Sequence, residues 1–341
     1  MRVTNVRLVL VSKCSHATMY LMKKHGRSLT AFIILIGIPV YVLCVFVSEV
    51  FAPEMEVVQD DHTVARVTFV GDMMFDRYIR ESGHARGYDS IFTDVLPMLG
   101  KSDVLVGNLE GPITSLTPVS DWRDGGPDHY RFTFATTVAD TIAHTGFDAV
   151  SLGNNHIFNF GEEGVAQTKT WLAQNNLGYF GAPDEVYVPW RYASSSPTMV
   201  IYAFDTWHSR DVVRLTERIA GESEDVFVVV YAHWGNEYEI TPTSGQRELA
   251  HRFIDAGADF VVGSHPHVIQ TKEMFQGKWI YYSLGNFVFD QYFSPKVQCG
   301  AIVNLTIQED LTYTVEEGFV ELARDGTTKM GDCTVSVPLD E

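Results

Sequence analysis

Five apolar runs in this chain each stop at a glycine or alanine with Asp, Asn or His one or two residues on. Val64–Val70 stops at Gly71-Asp72, Asp103–Val106 at Gly107-Asn108-Leu109-Glu110, and Asp148–Leu152 at Gly153-Asn154-Asn155-His156. Val226–Tyr231 stops at Ala232-His233-Trp234-Gly235, and Asp259–Val262 at Gly263-Ser264-His265-Pro266-His267. Short runs apolar on both faces read as strands buried in a sheet. Helical patterns fall between them at Asp89–Leu99, Thr137–Thr145, Gly161–Gln174 and Gly245–Ala256, with further strands at Thr198–Phe204 and Lys278–Ser283. After Gly300 the pattern becomes strict alternation, over Ala301–Ile307 and Tyr313–Val320, which reads as antiparallel strands. This order predicts an α/β fold with a mixed sheet. In such folds ligands bind beyond the carboxyl ends of the strands, so the five polar ends are expected to meet.

Carboxylate, amide oxygen and imidazole together suit manganese, iron or zinc, and the absence of thiolate argues against a structural zinc site. Any one of these residues alone is weak evidence; a lone histidine is more often a core or surface residue. Three histidines at strand ends, with acids at two other ends, point to a metal site. His265 and His267, two apart around Pro266, can reach one cluster. Trp234, Tyr238 and Tyr282 read as packing or pocket walls. Glu237 is either a solvated acid or a group for substrate amines or for supporting a histidine. Arg247 and His251, four apart on a predicted helix, read as packing or solvent-facing. Asn286 and Asp290 either support the site's rim or simply form a capped turn.

The charge is unevenly spread. Six of the 25 basic residues lie in residues 1–48, which hold no acid, leaving 19 bases against all 43 acids in the remainder. A body this acidic lacks the basic footprint that nucleic acid requires. Leu29–Ser48 carries no charge over 20 residues and is apolar on every side, long enough to span a bilayer. With basic residues before it and Glu49, Glu54, Glu56, Asp60 and Asp61 after it, the expectation is a single-pass anchor with the N-terminus cytoplasmic and the body outside. The expected order is a basic segment over 1–28, the anchor over 29–50, an acidic linker over 51–63 and a folded domain over 64–339. A cleaved signal peptide is the alternative, with Val50-Phe51-Ala52 as its cleavage site. Of the four cysteines only Cys299 and Cys333 belong to the body. They are expected to be separate buried thiols, a disulfide being the alternative.

The strings VTFVGDMMFDR, VLVGNLEGPIT, FDAVSLGNNHIFNFGEEG, AHWGNEYEITPTSGQRELAHRFIDAGADFVVGSHPHVIQ and KWIYYSLGNFVFDQ run in order to residue 291. In them the chain resembles the bacterial capsule-synthesis CapA family, the poly-γ-glutamate biosynthesis proteins, which is related to the calcineurin-like metallophosphoesterases. The resemblance implies a two-sheet sandwich flanked by helices and one or two divalent ions. It implies that Asp72, Glu110, Asn155, His233, His265 and His267 are metal ligands, with His233 and His265 on one ion and His267 on the other. His156 would contact the substrate and assist the leaving group. Three departures stand out. The phosphoesterase Asp-x-His motif reads Asp72-Met73-Met74. Asn108 replaces the bridging aspartate, with Glu110 as its substitute. Asn159 stands where relatives usually carry Asp, either supporting His156 or forming a turn.

Three functions follow from that resemblance. The chain is a metal-dependent hydrolase of phosphoesters or polymer, a non-catalytic subunit that binds poly-γ-glutamate or another envelope polymer beside membrane synthetase or export subunits, or a scaffold. Joint retention of Asn155, His156, His233, His265 and His267 argues against the scaffold.

Overall fold

The computed structural model describes residues 63–333, apart from 121, 122, 124, 125, 127 and 194–196. The expected basic segment, anchor and nearly all of the linker lie outside these residues. Among the described residues no helix is long and apolar enough to cross a membrane.

Two sheets stack face to face. The first is built from β1 (Thr63–Met73), β2 (Val104–Leu109), β3 (Ala149–Ser151), β4 (Gly178–Phe180), β11 (Asn286–Val288), β12 (Cys299–Gln308), β13 (Tyr313–Leu322) and β14 (Thr328–Met330). Its order is β14-β13-β12-β1-β2-β3-β4, with β11 paired to the end of β1. The run β1 to β4 is parallel, whereas β12 to β14 return antiparallel. The second sheet holds β5 (Trp190–Tyr192), β6 (Thr198–Asp205), β7 (Val226–His233), β8 (Phe260–Ser264), β9 (Lys272–Phe275) and β10 (Lys278–Tyr281). Its order is β5-β6-β7-β8-β10-β9, with β6, β7, β8 and β10 parallel.

Strand periodicity assigns each side chain to a layer. Phe227, Val229 and Tyr231 of β7 point into the core between the sheets, where they meet Val67 and Phe69 of β1 and Val303 and Leu305 of β12. Val228, Val230 and Ala232 point the other way. There they pack under α5 (Val212–Ala220) and α6 (Ser244–Asp255) through Leu215, Ile219, Ala250 and Phe253. The outer face of the first sheet is covered by α1 (Arg77–Arg86), α2 (Leu96–Leu99), α3 (Thr137–Thr145) and α4 (Gly161–Gln174) through Ile79, Leu99, Ile142 and Leu172. The result is a helix–sheet–sheet–helix sandwich, an α/β fold as expected. Local signals fix the helix ends. Thr243 and Gln246 form a reciprocal capping box at the start of α6, and Gly146, at φ 96°, closes α3.

Two expectations fail. The helix over Asp89–Leu99 is broken into a 3-10 turn at Tyr88–Ile91 and the single turn α2, because Pro97 sits where only a helix's first turn tolerates it. Cys299 and Cys333 are not separate thiols but a disulfide, with Cα atoms 6.0 Å apart. The antiparallel return of β13 and β14 carries the tail back to the start of β12, a closeness that a separation of 34 residues does not announce. Closing a loop of that size is worth about 3–4 kcal/mol. The Cys299→Ser/Cys333→Ser chain is therefore expected to unfold at clearly lower urea than the oxidised wild type. Equal midpoints would show that the bond contributes nothing.

Candidate metal centre

Parallel register delivers the polar residues to one place. Asp72 pairs with Asn108 on one side and Asn286 on the other, while His233 lies beside Asp205 and Ser264 in the second sheet. The carboxyl ends of both sheets converge here, so the meeting point lies between two sheets rather than along one edge. Close backbone approach requires glycine just before two of these ends. A Cβ on Gly71 would lie 1.9 Å from the Gly285 carbonyl oxygen, and one on Gly263 2.0 Å from that of Tyr282.

Asp72 and Glu110 are wholly buried, and His233, His265 and His267 nearly so. Asp72 accepts hydrogen bonds from Asn108 Nδ2 (2.8 Å) and from the His265 backbone N–H (3.1 Å), and lies 3.3 Å from His267 Nδ1. Glu110 Oε1 lies 3.6 Å from His267 Nε2 and 3.8 Å from His156 Nε2. His233 Nε2 faces Asn155 Oδ1 at 2.9 Å. All six expected ligands are thus brought together. Five of them fall into two groups of mutually close donors, Asp72 with Glu110 and His233, and His265 with His267, the second joined by Glu237, while Asn155 stands beside His233. That division differs from the expected pairing of His233 with His265.

Neighbouring polar groups orient the rings. Asn286 donates to the carbonyl of Val297 (2.9 Å) and to Gln291 (3.1 Å), so its Oδ1 accepts from His267 Nδ1 (2.9 Å) and leaves Nε2 facing Glu110. Asn159 accepts from the Phe132 backbone (2.7 Å) and lies 3.1 Å from His156 Nδ1, so it supports the histidine rather than merely turning the chain. Ser264 lies 2.9 Å from His233 Nδ1. Asn108 is a crossbrace. Its amide nitrogen meets Asp72 and His233, and its oxygen accepts from Asn154 (3.1 Å). Met74, at the place of the missing phosphoesterase histidine, is buried in the core under the helices.

The electrostatics follow from burial. Burial pushes Glu110 well above the usual carboxylate range, and the Asp72 charge adds to it. Burial also opposes ionisation of Asp72, but contact with His267 and His233 and the Asn108 hydrogen bond outweigh it and hold that group low. Burial drives His233 well below its ordinary value and takes His156 and His265 down to about 4, keeping them neutral, as ligands must be.

A cation fits these residues. Both Glu110 oxygens and His265 Nδ1 are buried with no hydrogen-bond partner. A buried polar atom left unpaired costs about 1–3 kcal/mol, more if charged, so these three call for a ligand. Every donor is oxygen or nitrogen, which suits manganese, iron or zinc.

Four residues here were not singled out from the sequence. Asn154 caps the His156 backbone (3.1 Å), and Ser264 buttresses His233; both lay inside the quoted strings without a stated role. Trp207 packs against His233 and His265, with ring centres 5.6 and 4.8 Å away, and no motif marks it. Arg77, the last residue of VTFVGDMMFDR, is buried behind the histidines. Asp290, read as either a rim support or part of a capped turn, pairs with Arg77. Arg247 and His251 both bind Glu273, in keeping with a packing role.

Similarity to known proteins runs over the same stretch of chain. The family model for bacterial capsule synthesis protein PGA_cap matches residues 66–193 and 186–291. The PGA biosynthesis protein CapA of Bacillus subtilis (strain 168) is 29% identical over 299 residues, which is 81% of this chain and 77% of that protein. The capsule biosynthesis protein CapA of Bacillus anthracis is 29% identical over 249 residues, 66% of this chain and 60% of that protein. A probable polyglutamine synthesis accessory protein of Mycobacterium tuberculosis is 26% identical over 218 residues, 55% and 56% respectively. Both family-model segments lie within the folded domain and span every site residue from Asp72 to Asp290, so the chain belongs to the bacterial capsule synthesis protein PGA_cap family.

Proposed function

We propose that this chain is an anchored, outward-facing protein of poly-γ-glutamate capsule synthesis or export that works through a divalent metal site of the phosphoesterase type. The observation that carries the reading is the buried Glu110 carboxylate, with both oxygens unpartnered beside His156, His267 and Asp72. The name of the Bacillus subtilis relative supplies the process. The Cys299–Cys333 bond supports a body outside the cytoplasm, where disulfides persist. Leu29–Ser48 supplies the anchor in this reading.

Asp72, Glu110, Asn155, His233, His265 and His267 would hold the metal. When bound, it would polarise a phosphoryl or carbonyl oxygen and acidify a water. His156 would do the proton work. With Nδ1–H held by Asn159, its Nε2 faces Glu110 and the ligand group, placed to take a proton from the attacking group or return one to the leaving group. Trp207 and Phe132 limit water around the rings.

The relative named as an accessory protein favours a second reading, in which the same metal site binds polymer carboxylates without cleaving them. One variant separates the two. With manganese, the wild-type full chain is expected to hydrolyse a generic phosphodiester, and His156→Ala to lose about 100-fold or more of that rate while keeping its metal. Metal-dependent binding of poly-γ-glutamate with no hydrolysis in either chain would select the accessory reading. Absence of bound metal in the wild type would remove both.

A further inference from the structure

Glu237 lies on the loop between β7 and α6 and is exposed, which makes a solvated surface acid the simple reading. Its surroundings argue otherwise. One carboxylate oxygen lies within 4.8 Å of a ring nitrogen of His265 and of one of His267. The loop is held there. The Tyr238 N–H donates to the Pro266 carbonyl at 2.8 Å, fastening the Glu237 loop to the turn that carries both histidines. Three residues of the paired loops take left-handed backbone without being glycine: Tyr238 at φ 67°, His265 at 94° and His267 at 56°. Such conformations are strained and persist where the surroundings impose them, most often at functional sites.

His265 also lacks a partner. His265 Nδ1 is buried with no partner, in a residue only 5% exposed. Met74, the counterpart of the absent phosphoesterase histidine, is fully buried in the core and offers no imidazole. Meanwhile Glu237 adds a third carboxylate around His267, which already lies 3.3 Å from Asp72 and 3.6 Å from Glu110. Carboxylates gathered at one place are unfavourable unless a cation lies among them.

We propose that Glu237, His265 and His267 together bind a divalent cation, Glu237 closing the site from the solvent side as the donor that Met74 does not supply. This rests on the metal reading of the same site and adds to it a position distinct from the inner group of Asp72, Glu110 and His233. Glu237 is exposed, so an ion held there would be the one that a substrate oxygen meets first.

The test counts ions. Full-length protein in detergent is stripped with chelator, titrated with manganese alone and assayed for bound metal by equilibrium dialysis. The wild type is expected to bind two ions. Glu237→Gln is expected to keep the inner ion and to bind the outer one at least about tenfold more weakly. Glu239→Gln, an exposed acid two residues on, is expected to match the wild type. Glu237→His, which restores a donor, is expected to recover most of the lost affinity. A Glu237→Gln isotherm that overlays a metal-binding wild type overturns this proposal and leaves the broader reading standing. A wild type that binds no manganese overturns both.

Discussion

Glu110→Gln is expected to erase most of the stabilisation that manganese gives this protein. A ligand present at about 100 times its Kd adds about 2.7 kcal/mol to the folded state. For the wild type that should appear as an upward shift of the thermal midpoint in the full chain. Glu110 can supply it because both oxygens are buried and unpartnered, so the metal takes up acceptor capacity that the protein leaves unused. Glutamine keeps the shape but not the charge. Without metal the variant should resemble the wild type, since burial and the Asp72 charge already favour a protonated, neutral Glu110.

The pH dependence carries a definite sign. The folded value of Glu110 lies above its unfolded value near 4.5, so its proton-linked stability is fully present below 4.5 and is lost as pH rises through the folded value. Metal must displace that proton, so manganese affinity should climb with pH over the same window and flatten in Glu110→Gln. His156 and His265 behave oppositely. Their folded values near 4 lie below the ordinary 6.5, so acidification from 6.5 towards 4 destabilises wild type and variant alike and cancels in the comparison. Thermal midpoints at several pH values, with manganese and with chelator, decide the matter. A variant that keeps the full manganese shift would show that Glu110 is not a ligand.

What could be read from the sequence was what neighbours along the chain decide. β7 and β8 declared themselves as apolar runs, and a strand that ends in a parallel sheet points its next residues into the crevice, so His233, His265 and His267 came with them. Asp72 followed from β1 for the same reason. Elements fixed by distant contacts stayed hidden. Helix α1, RYIRESGHAR, is too polar to look like a core element and buries one large apolar side chain, Ile79. The strands β4, β5, β11 and β14 are three residues each, too short for a period to register. β11 nevertheless matters, because it places Asn286 beside Asp72 and behind His267. Asn286 was proposed from its motif, but its task became visible only through hydrogen bonds to Val297 and Gln291. The cysteine pairing and the Arg77–Asp290 pair were hidden for the same reason, since the second joins residues 213 apart.

That pair sets the second large effect. Arg77→Ala is expected to destabilise the domain by about 3–5 kcal/mol, the usual result of removing one partner from a buried ion pair. Arg77 is 6% exposed, and its guanidinium bonds Asp290 through Nη2 and lies 2.9 Å from His129 Nε2 through Nη1. The guanidinium carbon also stands 5.0 Å from the ring centre of Phe132 and 5.6 Å from that of Phe289. These rings in turn meet His156 at 4.4 Å and His267 at 4.8 Å. One cation therefore holds the floor beneath two site histidines, and lysine could not reproduce its planar contacts.

Asp290 is already pushed upward by burial, with the Arg77 charge opposing. Without Arg77 its folded value rises further. The carboxyl then takes a proton at low pH, and the destabilisation should grow as pH rises through that new value. Arg77→Met/Asp290→Leu removes both charges and should lose less than Arg77→Ala, because no buried charge is left unpaired. Urea unfolding of the two variants beside wild type, at pH 6 and pH 8, measures each term. If Arg77→Ala stays within about 1 kcal/mol of wild type at both, the pair does not brace the site, and the aromatic floor must be held by packing alone.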